Sequence, residues 1–252
     1  MKRNVIFLIC LISSIVVFGQ NETKQINVEV EEVRVAPPKF AGVLNADELF
    51  NVGNSSPIEK YLAKNFVCPA IAAKCSDEGT EIIQFTVSPD GSLTKFRVIN
   101  SVCREIDQEL ISLLRRTNGM WIPGCNNGEP KAMEQEVSLI IGDYAPDKIV
   151  NHFVGQAEKY FEMGSSALFV EHKPKKALRH YNKSVRYLPN DKGILLLRGI
   201  CNYELGKIEN ARKDWNRIVS LGGIDYTRHF SELAEMKGYK DMTRILAQKD
   251  KN

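Results

Sequence analysis

Only four histidines occur in this 252-residue chain, His152, His172, His180 and His229, and no two stand four residues apart. A zinc site on one helix face needs that spacing, so the histidines offer none. The six cysteines include no Cys-x-x-Cys, which argues against a zinc ribbon or a redox dithiol. Gly-x-x-x-x-Gly-Lys, Gly-x-Gly-x-x-Gly and Gly-x-Ser-x-Gly are missing as well. With them go the common phosphate loops and the serine nucleophile elbow. Asp107 and Glu109 fall at the start of a helical stretch, where the helix dipole favours acids in any case. The expectation is a protein without catalytic residues, metal or cofactor, and not an enzyme. A strong excess of charge is also lacking: the net charge is +3, too mild for nucleic acid as a partner of an exported chain.

What is present begins with an unusual N-terminus. Lys2 and Arg3 precede an almost wholly apolar run, Val5 to Phe18, of about 14 residues, short of the roughly 20 a spanning helix requires. Val17-Phe18-Gly19 follows as a cleavage site. That layout predicts a signal peptide over residues 1–19. Cys10 lies too early in the run for lipidation and is expected to leave with it.

Export changes the reading of the remaining cysteines. An oxidising compartment favours pairing among Cys68, Cys75, Cys103 and Cys125, with three connectivities open. Cys201 stands in an apolar helical stretch as a buried thiol. Charge divides unevenly: residues 20–145 hold 12 Lys and Arg against 18 Asp and Glu, residues 146–252 hold 20 against 13. Two such modules can dock on one another or meet different partners, and two solvated surfaces would look the same.

Residues 20–56, polar with Pro37-Pro38, read as a tether or loosely paired strand. From Pro57 to Phe66 a short helix is expected, with Ser56 as N-cap and Pro57 at its first position. Ile83, Phe85 and Val87 alternate with neighbours at period two, and Pro89-Asp90-Gly91 then turns the chain. Phe96 and Val98 mark the returning strand. Ile106, Leu110, Leu113 and Leu114 lie on one face of a helix. A last strand, Ala132 to Ile141, has Met133, Val137, Leu139 and Ile141 on its apolar side, interrupted by Gln135. Trp121 is expected against the core, with Pro123 and Gly124 stopping the second helix.

Pro69, Ala72 and Gly79, then Phe85-Thr86-Val87-Ser88-Pro89-Asp90-Gly91, Ile106-Asp107-Gln108-Glu109, Trp121-Ile122-Pro123-Gly124 and Gly128-Glu129-Pro130 occur in that order. Together they make residues 57–145 resemble the C-terminal domain of the TonB family of energy transducers. The resemblance implies a small three-stranded antiparallel sheet with two helices. It also implies binding of an outer-membrane receptor peptide as an added strand. The last strand is expected at a sheet edge, with Ala132, Glu134, Gln135, Val137, Leu139 and Ile141 as its binding residues, unless the tether or the second module covers it. The chain departs from the family in its expected cleavable N-terminus, its short spacer and a split aromatic-proline pair, Phe66-Val67-Cys68-Pro69.

Residues 146–252 repeat themselves. Ala177 and Ala211, Tyr181 and Trp215, Ser165 and Gly199 are each 34 apart. That period, with small residues where helices cross and an aromatic four after the alanine, resembles tetratricopeptide repeats. Val150, Phe153, Val154, Ala157, Tyr160 and Phe161 form one apolar face. Later stretches at 194–203 and 208–221 repeat the arrangement, and 227–236 with 241–248 make a polar cap. Lys175, Lys176, Arg179, Lys183 and Arg186 follow one helix, as a solvated face or a receiver of an acidic partner.

The sequence thus predicts an α+β protein, a TonB C-terminal-like domain followed by an all-α repeat domain. Its expected role is an envelope or periplasmic adaptor that binds other envelope proteins. Two alternatives stand beside it. One is a membrane-anchored transducer in receptor-mediated transmembrane transport, in which the N-terminal segment is retained. The other is a scaffold that binds through its repeats alone.

Overall fold

The computed structural model describes residues 34–42, 56–67, 78–142, 146–224 and 233–248. The expected leader, Cys68, Cys75, and residues 227–232 of the expected cap lie outside them. The fold is α+β, built from small antiparallel sheets and packed helices.

Two short strands open it, β1 (Val35–Ala36) and β2 (Lys39–Phe40). Helix α1 (Pro57–Asn65) starts in a capping box. The Ser56 hydroxyl accepts from the Glu59 N–H at 3.4 Å, and Glu59 Oε2 accepts from the Ser56 N–H at 3.0 Å. Those bonds satisfy two donors that the first turn leaves free. Strand β3 (Gly79–Val87) and β4 (Leu93–Asn100) form the expected hairpin around Asp90-Gly91. Asp90 accepts from the Ser92 N–H and O–H at 3.0 and 2.6 Å, holding its carboxyl below the usual carboxylate range. Gly91 has φ 79°, and a Cβ there would stand 2.6 Å from the Trp121 carbonyl. Only glycine tolerates both conditions.

Helix α2 (Arg104–Arg116) buries Ile106, Leu110, Leu113 and Leu114 on one face. It ends at Thr117, well before Pro123. The Thr117 hydroxyl donates to the Leu114 carbonyl at 2.6 Å and accepts from Trp121 Nε1 at 3.0 Å. The chain turns out of the helix at Gly119, which has φ 80°, and Pro123 lies between two short strands. These are β5 (Trp121–Ile122) and β6 (Gly124–Asn126), followed by β7 (Glu129–Lys131). Strand β8 (Met133–Ile141) completes the main sheet, ordered β4-β3-β8 with both neighbours antiparallel to β3.

The segment 34–42 is paired, as the looser of its two readings allowed. Strand β1 joins β6 and β7, and β2 pairs with β5. Phe40 then closes the core, its ring centroid 5.4 Å from both Tyr61 and Trp121. Trp121 sits 5.3 Å edge-on to Phe85 and is 6% exposed. Burying side chains of this size is worth about 1.5–3 kcal/mol each.

The C-terminal half is helical: α3 (Pro146–Ser165), α4 (Pro174–Tyr187), α5 (Lys192–Glu204), α6 (Ile208–Ser220) and α7 (Tyr239–Leu246). Each packs on the next. Ala177, Tyr181, Ala211 and Trp215 are fully buried. A Cβ on Gly199 would collide with the Trp215 indole, and one on Gly164 would lie 2.7 Å from the Tyr181 ring. The small residue beneath Tyr181 is thus Gly164, one before Ser165, whose hydroxyl meets the Tyr181 hydroxyl at 3.1 Å. A wide π-helical turn, Ser166–Val170, follows α3 and absorbs that shift of one residue. Val150 is 55% exposed and lies off the apolar face, where Ile149 is buried instead.

Both halves belong to one compact unit, Arg34–Asn252. A Cβ on Gly79 would stand 2.6 Å from Arg186 Cγ, so glycine is what lets β3 approach the end of α4. The Thr80 hydroxyl donates to the Tyr187 carbonyl at 2.9 Å. Glu78 meets His152 Nε2 at 2.7 Å and accepts from the Tyr187 hydroxyl at 3.2 Å. Glu136 on β8 takes two bonds from the Arg217 guanidinium. The seam therefore joins acids of the acidic half to basic or hydroxyl groups of the basic half.

Candidate functional site

Strand β8 pairs with β3 along its whole length, from Gly79↔Ile141 to Val87↔Met133, without a register shift. No other strand pairs with it among the described residues. Its odd-numbered residues face the core beneath α1 and α2: Val137 is 2% exposed and Leu139 packs on the same core. Ile141 packs with Val102 and Ile106. Glu134, Glu136, Ser138 and Ile140 lie on the opposite face, with Ile140 44% exposed. Ala132 precedes the strand and Gln135 is half-buried. Of the six expected binding residues, Val137, Leu139 and Ile141 thus secure the strand to the core. The side of β8 turned away from β3 has no strand partner among the described residues and carries main-chain N–H and C=O, while the Ser138 hydroxyl donates to Glu59 of α1 at 3.1 Å.

The other edge differs. Strand β4 shifts register twice against β3, between Ile82 and Ile83 and between Gln84 and Thr86. Lys95 there has φ 52°, rare for a non-glycine residue. Bulges and an edge lysine are common devices that keep a strand from adding another. The sheet therefore has one regular edge, β8, and one irregular edge, β4.

A cleft of about 780 Å³ lies between the sheet and α4–α6, bounded by Arg97, Val98, Asn182, Lys207, Lys213 and Arg217 among others. In its floor Asp214 is 4% exposed. Burial raises its carboxyl pKa, opposed by bonds from Arg198 and Asn202. Periodicity is silent about this cleft, because it arises from the docking of the two halves.

Glu81 is a further residue that sequence reading missed. It is fully buried in β3, where Oε2 accepts from the Val102 N–H at 2.8 Å and Oε1 has no partner among the described residues. Burial first, and the neighbouring Asp107 carboxylate, push its pKa up to about 8. The signal was its parity: Glu81 stands in phase with Ile83, Phe85 and Val87.

The basic run on α4 does not form one open face. Lys176 pairs with Glu171 at 2.6 Å, Lys183 lies 5.2 Å from the Tyr160 ring centroid, and Arg186 meets the Gly79 seam. Lys175 and Arg179 are exposed. Cys125 is a free thiol, which corrects the expectation that it pairs. It sits in the β1-β6-β7 ribbon opposite Ala36 and Pro130. Cys103, just before α2, is disulfide-bonded, and Cys201 is a fully buried free thiol.

No curated protein and no solved structure matches the chain significantly. Residues 64–140, about a third of the chain, match the family model of the Gram-negative bacterial TonB protein C-terminal domain.

Proposed function

We propose that this protein is an exported envelope adaptor that holds an extended segment of another envelope protein as a fourth strand beside β8. The observation that carries the reading is the contrast between the two sheet edges. Strand β8 is nine residues long and regular, and β4 is bulged. Strand addition needs a run of unshifted main-chain groups, and β8 supplies it. The match of residues 64–140 to the TonB C-terminal family supports the same edge. In this reading residues 1–19 are a cleaved leader and the helices, packed as tetratricopeptide-like repeats, engage a second protein.

The experiment is photocrosslinking in the native envelope. A photoreactive residue replaces Ile140 at the β8 edge, and a second replaces Thr94 on the bulged strand. Capture of one discrete envelope protein from Ile140 alone is the expected result. Equal capture from both positions, or none from Ile140, removes the strand-addition reading. A second reading, a membrane-anchored transducer, is favoured by the family match itself. Among the described residues no helix is long and apolar enough to cross a membrane, so that reading rests on retention of residues 1–19.

A further inference from the structure

We infer that the cleft between the sheet and helices α4–α6 is a second recognition site, for an extended acidic segment of a partner protein. Both halves of the chain build it, and at about 780 Å³ it falls within the roughly 300–1,000 Å³ usual for binding clefts. The bond from Thr80 to the Tyr187 carbonyl ties the halves together near it.

Its charge is unbalanced. The two acids on its wall already have partners: Asp214 is held by Arg198, and Glu134 stands 3.9 Å from Arg97. Arg217 is engaged by Glu136. Lys207 and Lys213 remain, both exposed, and their ammonium groups make no hydrogen bond or ion pair among the described residues. The cleft therefore presents two unmatched cations beside the amide side chains of Asn182 and Asn210, which can hold main-chain N–H and C=O groups.

Spacing favours a chain over a compact anion. Lys207 immediately precedes α6 and Lys213 lies within it, about 9 Å further along the helix axis. Alternate side chains of an extended peptide recur about every 7 Å on one side, within reach of two flexible lysines. A small anion needs cations that converge on one point. The bulges of β4 keep its edge from extending the sheet here, so side chains do the reading. Reversing Lys207 and Lys213 leaves the Arg217–Glu136 pair and the β8 edge in place, so failure here and failure of strand addition at β8 are distinguishable.

The test uses the full chain and a fluorescein-labelled Glu-Val-Glu-Val-Glu-Val peptide, followed by fluorescence anisotropy. The variant Lys207→Glu/Lys213→Glu reverses the cleft cations, and Lys175→Glu/Arg179→Glu reverses two exposed charges away from the cleft. The expected result is binding weakened about ten-fold or more by the first variant and little changed by the second. The Lys-Val counterpart peptide should not bind, and tripolyphosphate should not displace the acidic one. Absence of binding overturns the proposal. So does equal loss in both variants, which would mean diffuse attraction, an unaffected cleft variant, which would place the peptide elsewhere, or displacement by tripolyphosphate, which would mean a small-anion site.

Discussion

Glu81 is the residue whose chemistry departs furthest from its sequence context. Its folded pKa of about 8 lies above its ordinary value of 4.5. Between those values the folded chain holds a proton that the unfolded chain releases, so stability falls as pH rises from about 4.5 to 8. The loss is on the order of a few kcal/mol, and Glu81→Gln should flatten it. Urea denaturation of both proteins at pH 5 and pH 8.5 measures this. Gly199 is the steric counterpart. Gly199→Ala drives a methyl into the Trp215 indole and should cost roughly 1–3 kcal/mol, seen as a lowered Tm. The cysteines separate by exposure. Cys125 is half-buried and should alkylate in the native protein, while Cys201, its thiol pushed up to about 12 by burial, should not until the chain is unfolded. Peptide mapping after alkylation distinguishes the two. The sequence made Gly199 and Trp215 legible through their 34-residue period, because packing repeats with the helices. Cys125 was misjudged because pairing depends on where a ribbon places a thiol, which spacing does not encode.

At the scale of elements, what could be read was whatever obeys a period. Strand β3, helix α2 and strand β8 emerge from alternation and helical faces, and the edge position of β8 follows from hairpin and crossover. The turn that ends α2 lies at Asn118-Gly119, where Gly119 has φ 80°, and was expected instead at Pro123 and Gly124. The pairing of β1 and β2 was one of two readings left open, because strands of two residues carry no period that would choose between them. The seam between halves is likewise a tertiary outcome. Arg217 and Glu136, with side chains 14% and 30% exposed, form its clearest ion pair. A double-mutant cycle with Arg217→Ala and Glu136→Ala should give a coupling on the order of 1 kcal/mol, shrinking at high salt. No coupling would mean that the Glu78 and Thr80 bonds to His152 and Tyr187, with the apolar packing, hold the halves together without this pair.

For the whole molecule, the uneven charge of the two halves becomes intelligible as complementarity across the seam, with a positive remainder in the cleft. Export is a separate claim, tested by the intact mass of protein taken from the envelope. A mass lacking the first 19 or 20 residues fits the adaptor, and a retained segment in a membrane fraction fits the transducer. The central claim is strand addition at β8, and amide hydrogen exchange of the full chain, alone and with the segment captured at Ile140, tests it most directly. The account predicts slowed exchange at alternate β8 amides, those pointing away from β3, with β4 amides unchanged. Protection confined to the helices, or uniform along β4, would contradict it.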